Sequence, residues 1–397
     1  MSYINNNQYF PDLINTELKK HGLQELDDAN KPSKIFYCDI SYGNRNNPSY
    51  HKCEIVNQLA NVDPLGNKKQ QYELHLHYYK ERPKYIPQTI SFTLDEVDNV
   101  RNLFLSNPRE SPKVFILKPE NALSRQGVGI VRNYLELVSH LDKFPQFKEW
   151  IIQDYIDNPL IFNNKKFHFR IYVIYMQTPK FQVAYLGKRG FIYTANKEFE
   201  SGTFDPDIVL SGENSTNNVF YIPDDFIRAF GKEVWESKVW PQIVKITRET
   251  LKSTLDHLQC PNNNKQKCFK ILGYDILIND KYECYLAEIN ARNVSYKYPN
   301  EEFRNSFYKT ILKLVLPDKP LTNKELKEKT IPYERILFKE DGVITEGFNG
   351  IVRNSQIKEQ NSTKHYQRFN FFYWNIFFPI LIITLIVITI DMVIPRR

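Results

Sequence analysis

The sequence predicts a mixed α/β protein, and three observations carry that expectation. Between Lys113 and Leu316, apolar runs of strand length alternate with amphipathic stretches of helical period. The chain has 397 residues, enough for two or three compact units. Charged residues make up 25% and hydrophobic residues 42%, a globular mixture that excludes wholesale disorder.

Residues 1–110 read as a small N-terminal α/β region. Short apolar runs such as Ile35-Phe36-Tyr37 are broken there by turn signals, among them Gly43 to Pro48 and Asp63-Pro64-Leu65-Gly66. Met1 to Phe10 is polar and Asn-rich and lacks the basic-then-apolar order of a secretory leader. A boundary falls near Ser106 to Pro112, and residues 111–316 form the expected core. Residues 317–368 are polar and read as a loosely packed region and linker.

Residues 369–394 read as a membrane anchor. From Phe371 to Ile390 only Asn375 and Pro379 interrupt an apolar run, which as a helix spans about 30 Å, the thickness of a bilayer core. Tyr373 and Trp374 open it as interfacial aromatics, and Lys364, His365, Arg368, Arg396 and Arg397 flank it. The expected location is therefore a single-pass C-terminal anchor with the rest of the chain in the cytoplasm. Five cysteines without regular spacing argue against a disulfide framework and for a reducing compartment. The net charge of +7 favours an acidic partner or surface without identifying it, and no nucleic acid partner is expected.

Four stretches carry chemistry. Val114 to Pro119 is a strand closed by Lys118, followed by a loop with Arg125, Gly127 and Gly129. A lysine at a strand end beside a Gly-x-Gly loop can hold phosphates, although such a loop is also an ordinary tight turn. Trp150 to Leu160 reads as a strand ending at Asn158-Pro159, and Gln153 within it can read a base edge or be satisfied internally. Lys166 to Tyr175 has period two. Phe167, Phe169, Ile171 and Val173 take one face and Lys166, His168 and Arg170 the other. Such a basic row is either a solvated sheet face or an anion site.

The fourth stretch is a hairpin. Leu272 to Ile278 is followed by Asn279-Asp280 and then by Tyr285 to Ala291, placing Asp275 on one strand and Glu288 and Asn290 on the next. Oxygen ligands of this kind suit Mg²⁺. A two-residue turn at Asn279-Asp280, however, would pair Asp275 with Cys284 and leave Glu288 about 13 Å away at ~3.3 Å per residue. A shared ion therefore requires a wider loop or a bulge.

In this order, the motifs resemble those of the tubulin–tyrosine ligase-like family of ATP-grasp ligases. The matching segments are Ile116 to Pro119, Gln153 to Leu160, Lys166 to Tyr172, Ser215-Thr216-Asn217, Gly273 to Leu277 and Leu286 to Ala291, with Tyr85 to Thr89 ahead of them. The resemblance covers about residues 85 to 316. It implies an ATP-grasp fold, in which two α/β lobes clamp ATP between sheets. It implies ATP- and Mg²⁺-dependent activation of an acceptor carboxylate as an acyl phosphate, which the amine of a free amino acid attacks. Acidic tubulin tails are the usual acceptors, and tyrosine, glutamate or glycine the usual donors.

Carried over, the resemblance assigns Lys118 and Arg125 to phosphate and Gln153, Asp154, Tyr155 and Ile156 to the adenine pocket. Lys166, His168, Arg170, Thr216 and Asn217 would face the nucleotide, Lys166, Arg170 and Glu288 would serve catalysis, and Asp275, Glu288 and Asn290 would bind Mg²⁺. Several features depart from the family pattern: the loop after Lys118 is about two residues longer than usual, and Val128 stands where a basic residue is common, with Arg125 as a candidate replacement. His168 stands where an Asp belongs, and Tyr193 stands where an Arg usually holds a substrate carboxylate, with Lys188 or Arg189 as candidate replacements. These departures leave two alternatives: a catalytically weakened tether between microtubules and a membrane, and a ligase with a non-tubulin acceptor.

Overall fold

The computed structural model describes residues 2–5, 11–20, 22–25, 33–37, 53–105, 113–120, 126–212, 220–260, 266–291 and 301–345. The chain begins with β1 (Ser2–Asn5), α1 (Pro11–Lys20), β2 (Gln24–Glu25), β3 (Ser33–Tyr37) and β4 (Cys53–Val56). Next come α2 (Asp63–Gly66), α3 (Lys68–Tyr79), β5 (Thr89–Thr93), a 3-10 helix (Leu94–Phe104), β6 (Phe115–Pro119), β7 (Gly129–Val131), α4 (Tyr134–Leu141) and β8 (Glu149–Asp154). Then follow β9 (Ile161–Phe162), β10 (Lys165–Gln177), β11 (Phe181–Thr194), α5 (Pro206–Val209), β12 (Phe220–Ile222), α6 (Asp224–Phe230) and α7 (Trp240–Thr254). The last elements are β13 (Lys267–Ile278), β14 (Cys284–Asn290), α8 (Glu301–Val315), α9 (Asn323–Glu328), β15 (Tyr333–Glu340) and β16 (Val343–Thr345).

The strands form two sheets. The smaller is antiparallel, in the order β5-β8-β6-β7. The larger runs β16-β15-β11-β10-β13-β4-β3-β1-β2, with β12 on β11, β14 on β13 and β9 on β10. Its C-terminal strands pair antiparallel, whereas β4 joins β13 in parallel and β3, β1 and β2 continue that parallel edge. Mixed α/β architecture is thus as expected.

Strand β10 is the spine of the large sheet. Its Phe, Tyr, Ile and Val residues suit a pleated surface covered on both sides. Phe167, Phe169, Ile171, Val173 and Tyr175 enter one core with Ile243, Ile246 and Leu251 of α7. Tyr172, Ile174 and Met176 enter a second core with Phe307, Ile311 and Leu314 of α8. Only the first part of that second face, at Lys166, His168 and Arg170, carries polar side chains. These three are nevertheless buried, so the solvated-face alternative fails. In the small sheet, Phe115, Leu117, Trp150 and Ile152 pack against Leu137 and Leu141 of α4. Alternation then turns Ile116, Lys118, Ile151 and Gln153 to the opposite face.

The hairpin resolves the register problem posed by the sequence. Ile278 pairs with Cys284, so the connecting loop is wider than two residues, and the ladder then slips between Asp275 and Ile276. Ile276 pairs with Leu286 but Asp275 pairs with Glu288, leaving Ala287 as a bulge. The expected Asn279-Asp280 turn is corrected accordingly. Loop and bulge together remove the separation of the two carboxylates.

Three further expectations meet the structure here. Cys260 and Cys268 are disulfide-bonded, with Cα atoms 5.6 Å apart, which corrects the expectation of unbridged cysteines. Their approach depends on β13 starting beside the end of the preceding turn, which spacing alone does not encode. Gly127, at φ +70°, forms a tight turn whose carbonyl accepts from His140 Nε2 at 2.8 Å. Among the described residues no helix is long and apolar enough to cross a membrane, and the anchor expected at 369–394 lies outside them.

Candidate active site

The site starts from the polar face of the small sheet. Lys118 ends β6, and its Nζ donates to Gln153 Oε1 at 3.0 Å. The Gln153 amide donates in turn to Thr89 Oγ1 at 2.8 Å, so one row crosses three strands. A single cleft joins Lys118, Gln153 and Thr89 to Ile86, to Lys68 and Tyr72 of α3, and to Leu286 of β14. Both sheets therefore contribute to it. Lys68 is placed by the start of α3, where Asn67 caps the Gln70 amide at 2.9 Å and donates to Glu120 Oε1 at 2.6 Å.

The large sheet supplies the second half. Lys166 Nζ donates to the Tyr155 hydroxyl at 2.7 Å and lies 4.1 Å from its ring centroid. His168 Nδ1 lies 2.7 Å from Ser211 Oγ, and its Nε2 lies 3.7 Å from Asp275 Oδ1. Arg170 is paired across the ladder with Asp275 and grips it in a bidentate fork, Nε to Oδ1 and Nη2 to Oδ2 at 3.0 Å. Asn290 donates to Asp275 Oδ2 at 3.1 Å and to Glu288 Oε1 at 3.4 Å. Lys68 Nζ faces Glu288 Oε2 at 3.3 Å. Tyr193 lies across the row, 5.3 Å from the Arg170 guanidinium and edge-on to His168 at 5.5 Å.

The electrostatics separate these cations. Burial pulls Lys166 down to about 7, partly offset by Asp157 and reinforced by Lys118. Burial and the nearby Lys68 charge pull Lys118 down to about 8, against Glu288 and Asp275. For Arg170, burial favours the neutral form but the fork to Asp275 outweighs it and holds the guanidinium well above its ordinary value. For Glu288, burial favours the acid, yet Lys68, Lys118 and Arg170 together hold the carboxyl well below its usual range. Lys68, Lys118 and Arg170 thus act on Asp275 and Glu288, and Lys166 adds a further cation beside Lys118 and Asp157. That excess suits a polyanion.

Most residues singled out in the sequence converge: Lys118, Gln153, Tyr155, Lys166, His168, Arg170, Asp275, Glu288 and Asn290. Asp154 and Ile156 are half-buried at the end of β8. The charged neighbours that act on Asp154 are Lys113 and Arg82, while burial raises its carboxyl. Arg125, Thr216 and Asn217 lie outside the described residues. Lys68 was not anticipated. It stands in no motif, and only the helix start after Asn67 marks the position. Lys188 and Arg189 lie several residues along β11 from Tyr193, beyond its place over the row.

The model of the tubulin-tyrosine ligase family matches residues 45–211 and 225–326, more than half of the chain. The chain belongs to the tubulin-tyrosine ligase family. A human tubulin polyglutamylase is 21% identical over 314 residues, covering 70% of this chain and 34% of the relative. Tubulin glycylase 3C of Tetrahymena thermophila is 24% identical over 229 residues, covering 52% and 20%. A probable alpha-tubulin polyglutamylase of Tetrahymena thermophila is 26% identical over 314 residues, covering 67% and 72%. The chain thus spans about a third or less of the first two relatives and most of the third. The matched residues contain the two-sheet site.

Proposed function

We propose that the protein is an ATP- and Mg²⁺-dependent ligase that joins a free amino acid to a carboxylate of tubulin or another acidic protein tail. The observation that carries this reading is that Lys118, which lines the cleft, interacts electrostatically with Lys166, Asp275 and Glu288, the two carboxylates being joined in turn to Arg170 and Asn290. The donor set fits the metal. Glu288, Asp275 and Asn290 offer oxygen atoms, and Mg²⁺ takes one or two carboxylates and completes its shell with water and phosphate. The Lys68 ammonium beside Glu288 marks a place where a cation is already favoured. ATP with Mg²⁺ would supply the phosphoryl group that turns an acceptor carboxylate into an acyl phosphate. In this reading Lys118 and Lys166 hold phosphate oxygens and Arg170 is kept charged and fixed by Asp275. Gln153 and the end of β8 face the base. Positioned cations of this kind are what phosphoryl transfer chiefly needs.

One observation favours a weakened, tether-like variant of the same site. Asp275 already accepts from Arg170 and Asn290, and His168 stands beside it where a further carboxylate would add metal affinity. The apolar segment at 369–394 would then hold the protein on a membrane. The deciding experiment is incorporation of labelled tyrosine, glutamate or glycine into tubulin by the wild type and by Glu288→Gln. Incorporation that Glu288→Gln lowers at least about tenfold supports the ligase. Microtubule co-sedimentation without incorporation favours the tether, and an unchanged rate in Glu288→Gln ends the metal assignment. Fractionation of a chain lacking residues 369–397 tests the anchor, which is refuted by unchanged membrane association.

A further inference from the structure

The cleft between the two sheets holds a polar group that none of the roles above uses. Gln71 lies on α3 three residues after Lys68, and so on the same face of the helix. It is 7% exposed and lines the cleft beside Lys68, Tyr72 and Thr89. Its Nε2 is buried and meets no hydrogen-bond acceptor among the described residues. Its backbone is fixed, with the carbonyl oxygen 2.7 Å from His75 Nδ1. Buried amide groups as a rule find partners that replace water. A methionine would fill the same space without leaving donors unpaired. The amide is thus a liability in the free protein, and an acceptor atom on a ligand removes it.

The other side-chain amide of the cleft is already committed. Gln153 Oε1 accepts from Lys118 Nζ at 3.0 Å, and Gln153 Nε2 donates to Thr89 Oγ1 at 2.8 Å. The Thr89 hydroxyl donates in turn to the Pro87 carbonyl at 2.9 Å. This row braces the wall, and the unspent amide nitrogen belongs to Gln71. Much of the remaining lining is aliphatic. Ile86, Ile151 and Leu286 are all buried and come from the segment before β5, from β8 and from β14. The Leu286 amide donates to the Tyr85 carbonyl at 2.9 Å, which ties two of these walls together. Aliphatic walls suit the faces of a ring, while Lys68 and Lys118 in the same lining suit phosphate.

A side-chain amide presents a donor and an acceptor side by side. The outer edge of adenine presents their complement, N7 as acceptor and the N6 amine as donor, and a glutamine engages both at once. Guanine presents two acceptors there, O6 and N7, so the glutamine carbonyl would face an oxygen. We propose that Gln71 reads the base in this cleft, Nε2 donating to N7 and Oε1 accepting from the N6 amine, and that it makes the cleft prefer adenine over guanine nucleotides. The role rests on the nucleotide reading of the cleft. Gln71 stands in none of the motifs that carry the family resemblance.

The test titrates the full chain calorimetrically with Mg-ATP, Mg-GTP and the Mg complex of 7-deaza-ATP, in which a C–H replaces N7. Gln71→Met keeps the length of the side chain without the amide, and Gln71→Leu is a second apolar variant. The wild type should bind ATP more tightly than GTP and 7-deaza-ATP, each by about tenfold. In both variants ATP affinity should fall by about tenfold, and the three nucleotides should then bind alike. Thermal melts of the free protein should move the other way, the variants melting at or above the wild type, because they bury no unpaired amide. A residue that served only packing would lower the melting temperature and leave the preference among nucleotides unchanged. Wild-type ATP binding that is indifferent to folded Gln71→Met and Gln71→Leu overturns the proposal, as does a 7-deaza-ATP penalty that persists in them. A wild type that binds none of the three refutes the nucleotide reading, and the base-reading role with it.

Discussion

Lys166 and Arg170 are neighbours on one face of one strand, yet they are prepared in opposite ways. Arg170 is buried with its counter-charge, held by two hydrogen bonds to Asp275. Lys166 is buried against the hydroxyl and ring of Tyr155, the Asp157 charge offsets that burial only in part, and its pKa is pulled down to about 7. The first arrangement fixes a cation in place whatever else is bound. The second leaves a cation under-compensated, so an arriving anion relieves an existing cost. A site that must grip a polyanion and release it gains from having both.

The largest effect should come from breaking the compensated pair. Asp275→Asn leaves the Arg170 guanidinium buried without its hydrogen-bonded anion, and removal of one partner of a buried pair costs about 3–5 kcal/mol. Urea denaturation of the variant should show a loss of that order, and Arg170→Met combined with Asp275→Leu should recover much of it. A loss below about 1 kcal/mol would show that solvent or a neighbour compensates Arg170 after all.

The under-compensated lysine should behave in reverse. Lys166→Met removes a desolvated charge, so stability at pH 7 should hold or rise while Mg-ATP affinity falls by about tenfold. The pH dependence has a definite sign. With a folded pKa near 7 and an ordinary value of 10.5, the unfolded chain binds more protons between these limits. Stability of the wild type relative to Lys166→Met should therefore increase as pH rises through that window. Anion affinity should move the other way, falling above pH 7 to 8, because binding must return the proton to Lys166. Calorimetry in buffers of different ionisation enthalpy should register proton uptake on Mg-ATP binding, and its absence in the wild type would refute the depressed lysine.

The smallest effect concerns His168. His168→Asp sets a second carboxylate beside Asp275, which should cost about 1 kcal/mol in the absence of metal and be recovered with Mg-ATP. Thermal melts with and without Mg-ATP check this, and a rise in ligation rate would show that His168 limits the site. An unchanged melting temperature in both conditions would place the new carboxylate away from Asp275.

Much of this site was legible because its residues alternate. The period-two run from Lys166 to Tyr175 put three polar groups on one face before any fold was known, and the fold confirms it. Illegible features depended on spacing across the chain. The Asp275–Glu288 pairing required a wide loop and a bulge, and no residue type near Asn279 announces them. Lys68 reaches Glu288 only because α3 starts beside β14, a long-range fact with no local signature. The Cys260–Cys268 bond is of the same kind. Tyr193 was visible as a departure, but its ring stacking on Phe191 was not.

Strand β10 is hydrogen-bonded along nearly its whole length to β11 on one side and β13 on the other. Central strands paired in this way are, as a rule, among the last backbone segments to open to solvent. The three polar side chains at its head are therefore carried by a strand that is braced on both sides from Phe169 onward. Accommodation of a substrate must be paid in side-chain rotation and in the looser elements around the strand, while the strand itself serves as a datum from which every other distance in the site is measured.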